Sequence, residues 1–310
     1  MKVHVTRRIQ QEVLDRLAAS CELTVGPDEP PSRAALLDAV RDCDGVLTLL
    51  TERVDAEFLA AAPRLRVVSN MAVGVDNIDV AACTARGIPV GHTPGVLTEA
   101  TADQAFALLL AAARRVVEGD GYVRSGAWKT WHPGFMLGKE LNGATLGVFG
   151  FGKIGQAVAR RAEAFGMKVL PFRRGDDKRA VLAASDVVSV HLPLSADTKH
   201  FLSRDDFAAM KPGSILVNTA RGGVIDQRAL VEALKAGKPA FAGLDVMDPE
   251  PPRADDELLR LPNVVLAPHL GSATVETRLK MANLAADNLL AVLRGERPPH
   301  VVNDTRGRAP

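Results

Sequence analysis

Apolar and polar positions alternate in short blocks along nearly the whole chain, and most blocks lead into a stretch with helical spacing. A period of two marks a strand, and a period near 3.6 marks an amphipathic helix. "KVHVT" (2–6) predicts a strand and 9–19 a helix. "ELTVG" (22–26) and "GVLTLL" (45–50) predict strands around a helix near 32–41. "LRVVSNM" (65–71), a helix over 78–86 and "IPVGHT" (88–93) continue the series. Strands that alternate with helices predict a parallel sheet with both faces covered.

Pro94 and Gly95 punctuate the chain before a stretch, 98–118, that is apolar on most sides and predicts one long buried helix. The following "GYVRSGAWKTWHPGFMLGKEL" (121–141) has no clean period and holds both tryptophans. It predicts an irregular arm, about 119–141, whose aromatics serve a partner surface. A second alternating series then begins. Strands are predicted at 144–152, 168–172, 186–193, 214–220, 241–246 and 263–269, with helices over 153–165, 226–236 and about 274–294. The last helix is long enough to leave this second domain and return to the first.

Within that series, "GFGKIG" (150–155) follows a strand and opens a helix. Each glycine of this G-x-G-x-x-G spacing has a purpose. Gly150 allows a tight turn, Gly152 lets backbone approach a pyrophosphate, and Gly155 lets the helix pack on the strand. The N–H groups at the helix start attract phosphate. Gly150, Phe151, Gly152, Lys153, Ile154 and Gly155 are thus a predicted dinucleotide cradle. The fold class is therefore α/β, with two Rossmann-like doubly wound parallel-sheet domains. Residues 97–284 form the nucleotide-binding domain, inserted into a flavodoxin-like substrate domain of 1–96 and 285–310. The site is expected in a cleft between them.

Where such a domain ends its second strand, an acid normally meets the ribose 2′-hydroxyl. Here the chain reads "VLPFRRGDDK" (169–178), with Arg173 and Arg174 at that place and Asp176 and Asp177 just beyond. Guanidinium groups take a phosphate bidentately, so NADP(H) is expected ahead of NAD(H). The alternative is that the arginines lie in solvent while an aspartate reaches back. Only 175–185 separate the arginines from the next strand, leaving room for about two helical turns.

Composition narrows the partners. Lys+Arg 38 against Asp+Glu 37 gives a net charge of +1, with no global pull toward nucleic acid or membrane. The N-terminus lacks the apolar core of a signal peptide, and "AFALLLAAA" (105–113) is too short to span a bilayer. A cytoplasmic location is expected. Cys21, Cys43 and Cys83 form no CxxC pair, so neither a disulfide framework nor a metal site is expected.

Three later segments, "NTARGGVID" (218–226), "GLDVMDPEPP" (243–252) and "LAPHLGSAT" (266–274), combine with "MAVGVDNIDV" (71–80) and "TPGVLTEATAD" (93–103). In this order and spacing the chain resembles the D-isomer-specific 2-hydroxyacid dehydrogenases over essentially its whole length. Its arm and glycine loop are most similar to the glyoxylate/hydroxypyruvate reductases of that family. The resemblance implies an Arg–Glu–His active site at Arg221, Glu250 and His269. Arg221 would hold the carboxylate of a small 2-oxo acid and polarise its carbonyl. His269 would give a proton to the developing alkoxide, with Glu250 favouring the charged ring. It also implies that the N–H groups of Val73 and Gly74 bind the substrate carboxylate, and that Ser272 touches substrate. Thr219, Ala220, Asp245, His269, Leu270 and Gly271 would line the cofactor, with Asp245 and the 269–271 turn meeting the nicotinamide amide. Trp131 would cap the site of a neighbouring subunit in a homodimer.

Two other readings compete. A 3-phosphoglycerate dehydrogenase would need basic residues near "MAVGV", where Asn70 and Met71 offer none. A dehydrogenase-like corepressor would sense cofactor without turning it over. The histidines outside the matched blocks, His4, His92, His132, His191, His200 and His300, are read as structural.

Overall fold

The computed structural model describes residues 1–303 and 305. The chain divides into two units, Met1–Leu97 with Thr274–Pro310, and Thr98–Ala273. The C-terminal end of the expected 285–310 segment (304 and 306–310) lies outside the described residues.

In the first unit the order is β1 (Lys2–Val5), α1 (Gln11–Ala18), β2 (Glu22–Val25), α2 (Arg33–Ala39) and β3 (Gly45–Thr48). Then come α3 (Ala56–Ala61), β4 (Val67–Asn70), α4 (Val80–Ala85) and β5 (Val90–Gly91). The second unit runs α5 (Thr98–Ala113), α6 (Val116–Arg124), β6 (Thr145–Phe149), α7 (Lys153–Ala164), β7 (Lys168–Phe172), α8 (Lys178–Ala184) and β8 (Val187–Val190). It closes with α9 (Arg204–Ala209), β9 (Ile215–Asn218), α10 (Gln227–Lys235), β10 (Phe241–Leu244) and β11 (Val264–Leu266). The final helix, α11 (Val275–Leu293), belongs to the first unit. It packs there as one piece against β3 and β4, so the chain returns at Thr274, ahead of the expected boundary at 285.

The first sheet has order β2-β1-β3-β4-β5, with all pairs parallel. Val46, Val68, Ile88 and Val90 pack there with Leu36, Phe58 and Cys83 from α2, α3 and α4. On α11, the Ala285 carbonyl accepts a 2.7 Å hydrogen bond from Ser69 Oγ. The helix α3 was not expected from the periodicity. Its signal is Asp55, whose carboxylate accepts from Phe58 N–H as an N-cap.

The second sheet has order β11-β10-β9-β8-β6-β7, again all parallel. One face packs Leu146, Val148 and Val217 against Leu108, Leu109 and Val158 from α5 and α7. The other packs Val188, Leu216 and Leu244 against Phe207 and Leu230 from α9 and α10. Gly243 is placed by this packing, since a Cβ there would lie 2.9 Å from the Leu108 Cβ. β6 lies between β7 and β8 and is the point where the strand order reverses. An α/β sheet of this kind opens a ligand crevice at such a point.

The expected single helix over 98–118 is in fact two. Lys139 N–H takes the Ala113 carbonyl at 2.8 Å. Gly138 lies so close that a Cβ would sit 2.1 Å from the same oxygen. The returning loop thus occupies the carbonyl that another helical turn would use. Arg115 turns left-handed (φ 53°) and the chain restarts as α6, with the Arg115 guanidinium on Glu118. Part of the arm is therefore helical.

Candidate active site

The glycine loop joins β6 to α7 at the reversal point. Gly150 has φ 99°, and a Cβ on it would lie 2.6 Å from the backbone of His191. A Cβ on Gly155 would lie 2.3 Å from the Gly150 carbonyl. Both positions demand glycine from within the protein. Gly152 does not: its φ is −79°, and a Cβ would meet nothing within 4 Å. Its open space lies where α7 begins, where unpaired N–H groups favour a phosphate. The loop therefore fits a dinucleotide pyrophosphate. Phe151, Gly152 and Lys153 are exposed and Ile154 is half-buried. His191, at the end of β8, contacts Ser189 Oγ through Nε2 at 2.8 Å. Burial pushes its pKa down to about 4.

Beside the loop, β7 ends at Phe172, and Arg173 and Arg174 follow with exposed side chains. The two aspartates have other partners. Asp176 Oδ2 accepts from Arg173 N–H at 2.7 Å, closing the turn on itself. Asp177 caps α8, accepting from the N–H groups of Arg179 and Ala180. This cap satisfies N–H groups that the first turn of α8 leaves without helical partners.

At the other side of the sheet, His269 Nδ1 lies 2.5 Å from Glu250 Oε1. His269 stands beyond the end of β11, not within it, and adopts φ 56°. A non-glycine residue rarely takes that conformation, and Asp245 supplies its support. The fully buried Asp245 carboxylate accepts from Leu270 N–H at 2.8 Å and Gly271 N–H at 2.7 Å. Its backbone carbonyl accepts from His269 N–H at 2.9 Å. Gln104 of α5 donates to the same carboxylate at 3.2 Å. Asp245 thus fixes the 269–271 turn, while Leu270 beside it is exposed and Ser272 is buried.

Arg221 follows β9 in extended backbone. Its turn is clamped by Asn218, which is buried. Asn218 Oδ1 accepts from Ala220 N–H at 3.0 Å, and Nδ2 donates to the Arg221 carbonyl at 2.9 Å. Arg221 Nη1 donates to the Ala220 carbonyl at 2.9 Å. Next to it, Gly222 packs on the backbone of Met247 and Asp248. Met247 N–H in turn faces Glu250 Oε2 at 3.4 Å. Arg221, Glu250 and His269 therefore belong to one connected set of loops at the ends of β9, β10 and β11. Among the described residues, the hydroxyl of buried Thr219 has no hydrogen-bond partner. Asn218, Gly222 and Gln104 were not singled out from sequence, although the first two lie inside "NTARGG".

In the first unit, the loop after β4 carries Val73 and Gly74. Ala72 O accepts from Thr93 N–H at 2.8 Å, and Gly74 O accepts from Asn70 Nδ2 at 2.9 Å. A trans peptide places its C=O and the next N–H on opposite sides. Holding these carbonyls turns the N–H groups of Val73 and Val75 the other way. On the arm of the second unit, Trp131 is 76% exposed and Trp128 58%.

A doubly wound sheet with this glycine loop and a carboxylate-held histidine defines the nicotinamide-dinucleotide dehydrogenases. Residues 106–271 match the family model for the D-isomer specific 2-hydroxyacid dehydrogenase NAD binding domain. The chain belongs to the D-isomer-specific 2-hydroxyacid dehydrogenases. It is 52% identical to a glyoxylate reductase of Korarchaeum cryptofilum, over 97% of this chain and 96% of that one. A crystal structure from Thermus thermophilus superposes with TM-score 0.93 at 49% identity, covering 98% of this chain and 100% of that chain. An NADPH-dependent glyoxylate/hydroxypyruvate reductase from Sinorhizobium meliloti, solved with NADP and malonate, gives TM-score 0.88 at 36% identity. That match covers 100% of this chain and 99% of the other.

Proposed function

We propose that this chain is a reductase of glyoxylate and hydroxypyruvate that prefers NADPH, giving glycolate and D-glycerate. The observation that carries the reading is the Glu250–His269 pair, fixed on a turn by buried Asp245. The glyoxylate reductase relatives, similar over nearly the full chain, favour the substrate.

In this reading Arg221 takes the substrate carboxylate through two parallel N–H bonds and polarises the adjacent carbonyl. The Val73 and Gly74 N–H groups are the proposed second carboxylate contact. The bound nicotinamide supplies a hydride to the carbonyl carbon. His269, held through Nδ1 by Glu250, gives the proton on Nε2 to the carbonyl oxygen, so one hydride and one proton complete the alcohol. Glu250 holds the ring through Nδ1 and so keeps Nε2 aimed at the substrate. Ser272 is assigned to substrate. Thr219, Ala220, Leu270 and Gly271 are assigned to the cofactor's nicotinamide half, where the Thr219 hydroxyl would find its partner. Asp245 acts there by holding the turn.

The NADPH preference rests on the occupied aspartates. With Asp176 closing its own turn and Asp177 capping α8, Arg173 and Arg174 are left to meet a 2′-phosphate. The exposed arm with Trp128 and Trp131 is assigned to a homodimer, with Trp131 over the neighbouring site. The test is the loss of NADPH absorbance on mixing with substrate. Steady oxidation with glyoxylate is expected, and none at saturating glyoxylate and hydroxypyruvate removes the reading.

A further inference from the structure

Between the two anchored carbonyls of the β4–α4 loop lies a third, that of Val73. Its partner is a side chain that belongs to no recognisable motif. His92 Nδ1 lies 3.1 Å from the Val73 carbonyl oxygen. A carbonyl only accepts, so Nδ1 carries the proton. Burial lowers the His92 pKa, the Val73 contact opposes this, and His300 lowers it further. The net direction favours a neutral ring with one fixed donor.

The ring is held in place from behind. His92 N–H donates to the His300 carbonyl at 3.2 Å. Its own carbonyl accepts from Asn288 Nδ2 at 2.9 Å, and Asn288 Oδ1 accepts from His300 N–H at 2.8 Å. Asn288 is fully buried on α11. A Cβ on Gly91 would lie 2.8 Å from the Asn288 Cβ, so the strand end is seated tightly on that helix. The imidazole therefore stands on a rigid base formed by β5 and α11, while Val73 is on an exposed loop.

We propose that His92 is a positioning residue for substrate binding: by holding the Val73 carbonyl it orients the Gly74 N–H for a carboxylate. The trans peptide makes this obligatory, because fixing Val73 C=O fixes the opposite direction of Gly74 N–H. Thr93 N–H acts in the same way through Ala72 C=O on the Val73 N–H. Together they preset two consecutive donors before substrate arrives, which lowers the ordering cost of binding. The proposal rests on the reading of Val73 and Gly74 as the carboxylate contact.

The test compares His92→Phe, which keeps a ring and loses the donor, with His92→Asn, which returns an N–H at similar reach. KM for glyoxylate is expected to rise about five- to tenfold in His92→Phe, the range of one hydrogen bond. Saturated kcat and KM for NADPH should stay within about twofold of native, and His92→Asn should restore KM. Hydrogen exchange at the Val73 and Gly74 amides, read in the same variants without substrate, should quicken in His92→Phe and recover in His92→Asn. Unchanged KM and unchanged exchange in His92→Phe overturn the proposal. A parallel fall of kcat, both KM values and melting temperature, with no rescue by His92→Asn, also overturns it. If His92→Phe does not fold, His92→Ala is read by the same exchange and KM criteria. Failure of the native protein to turn over glyoxylate strikes the proposed function, whereas exchange still decides whether His92 sets the loop.

Discussion

Gly222 and Met247 are in backbone contact: a Cβ built on Gly222 would lie 1.9 Å from the Met247 carbonyl oxygen. Through this contact the loop that ends in Arg221 rests on the loop that leads to Glu250. The glycine is not required by its dihedral angles, because it is absent from the positive-φ positions. Close approach of two backbones is its reason. Substituting Gly222→Ala should push the loops apart and displace Arg221 from Glu250. A misplacement of about 1 Å can cost about 10²-fold in rate. The expected outcome is a fall of that order in kcat/KM for glyoxylate, with cofactor affinity retained. Steady-state kinetics beside a cofactor fluorescence titration checks it.

The short Nδ1–Oε1 contact between His269 and Glu250 sets a second expectation. His269→Ala should lower kcat by about 10²–10⁴-fold while cofactor binding survives. Glu250→Gln retains the size and a hydrogen-bonding group but replaces the carboxylate that holds Nδ1. It should lower kcat for glyoxylate while KM for NADPH stays near native. An unchanged kcat in steady-state assays would show that the carboxylate is not needed to hold the ring.

The end of β7 gives a third. Replacing Arg173 and Arg174 together by alanine should raise KM for NADPH far more than KM for NADH. The loss should be about tenfold or more, since hydrogen bonds to charged groups are worth more than neutral ones. Equal change for both cofactors would mean that the guanidinium groups do not read the 2′-phosphate. The turn itself should survive, because Asp176 holds it through the Arg173 backbone N–H, which alanine keeps.

Much of the molecule was legible in the chain. Alternating periods marked the strands of both sheets, and the glycine spacing with the later blocks marked the loops that follow β6, β9, β10 and β11. These are local signals: period two, period 3.6, and a glycine wherever backbone must turn or come close. Even missed elements such as α3 and α9 had readable caps at Asp55 and Ser203.

Other features depended on residues far apart in sequence. The stretch 98–118 has the composition of one helix, yet Lys139 N–H takes the Ala113 carbonyl, with Gly138 packed close beside it, and the helix is divided there. "RRGDD" left open which charge was available, and the hydrogen bonds of Asp176 and Asp177 assign both acids to the backbone. His92 carries no motif, and its place under Val73 depends on Asn288, a distant residue of α11. The chain alone determined which strands, turns and reactive side chains exist, because those follow from neighbours within a few positions. Only the tertiary structure decided which carbonyls, N–H groups and carboxylates are already engaged, because hydrogen bonds are allotted among groups that meet only on folding.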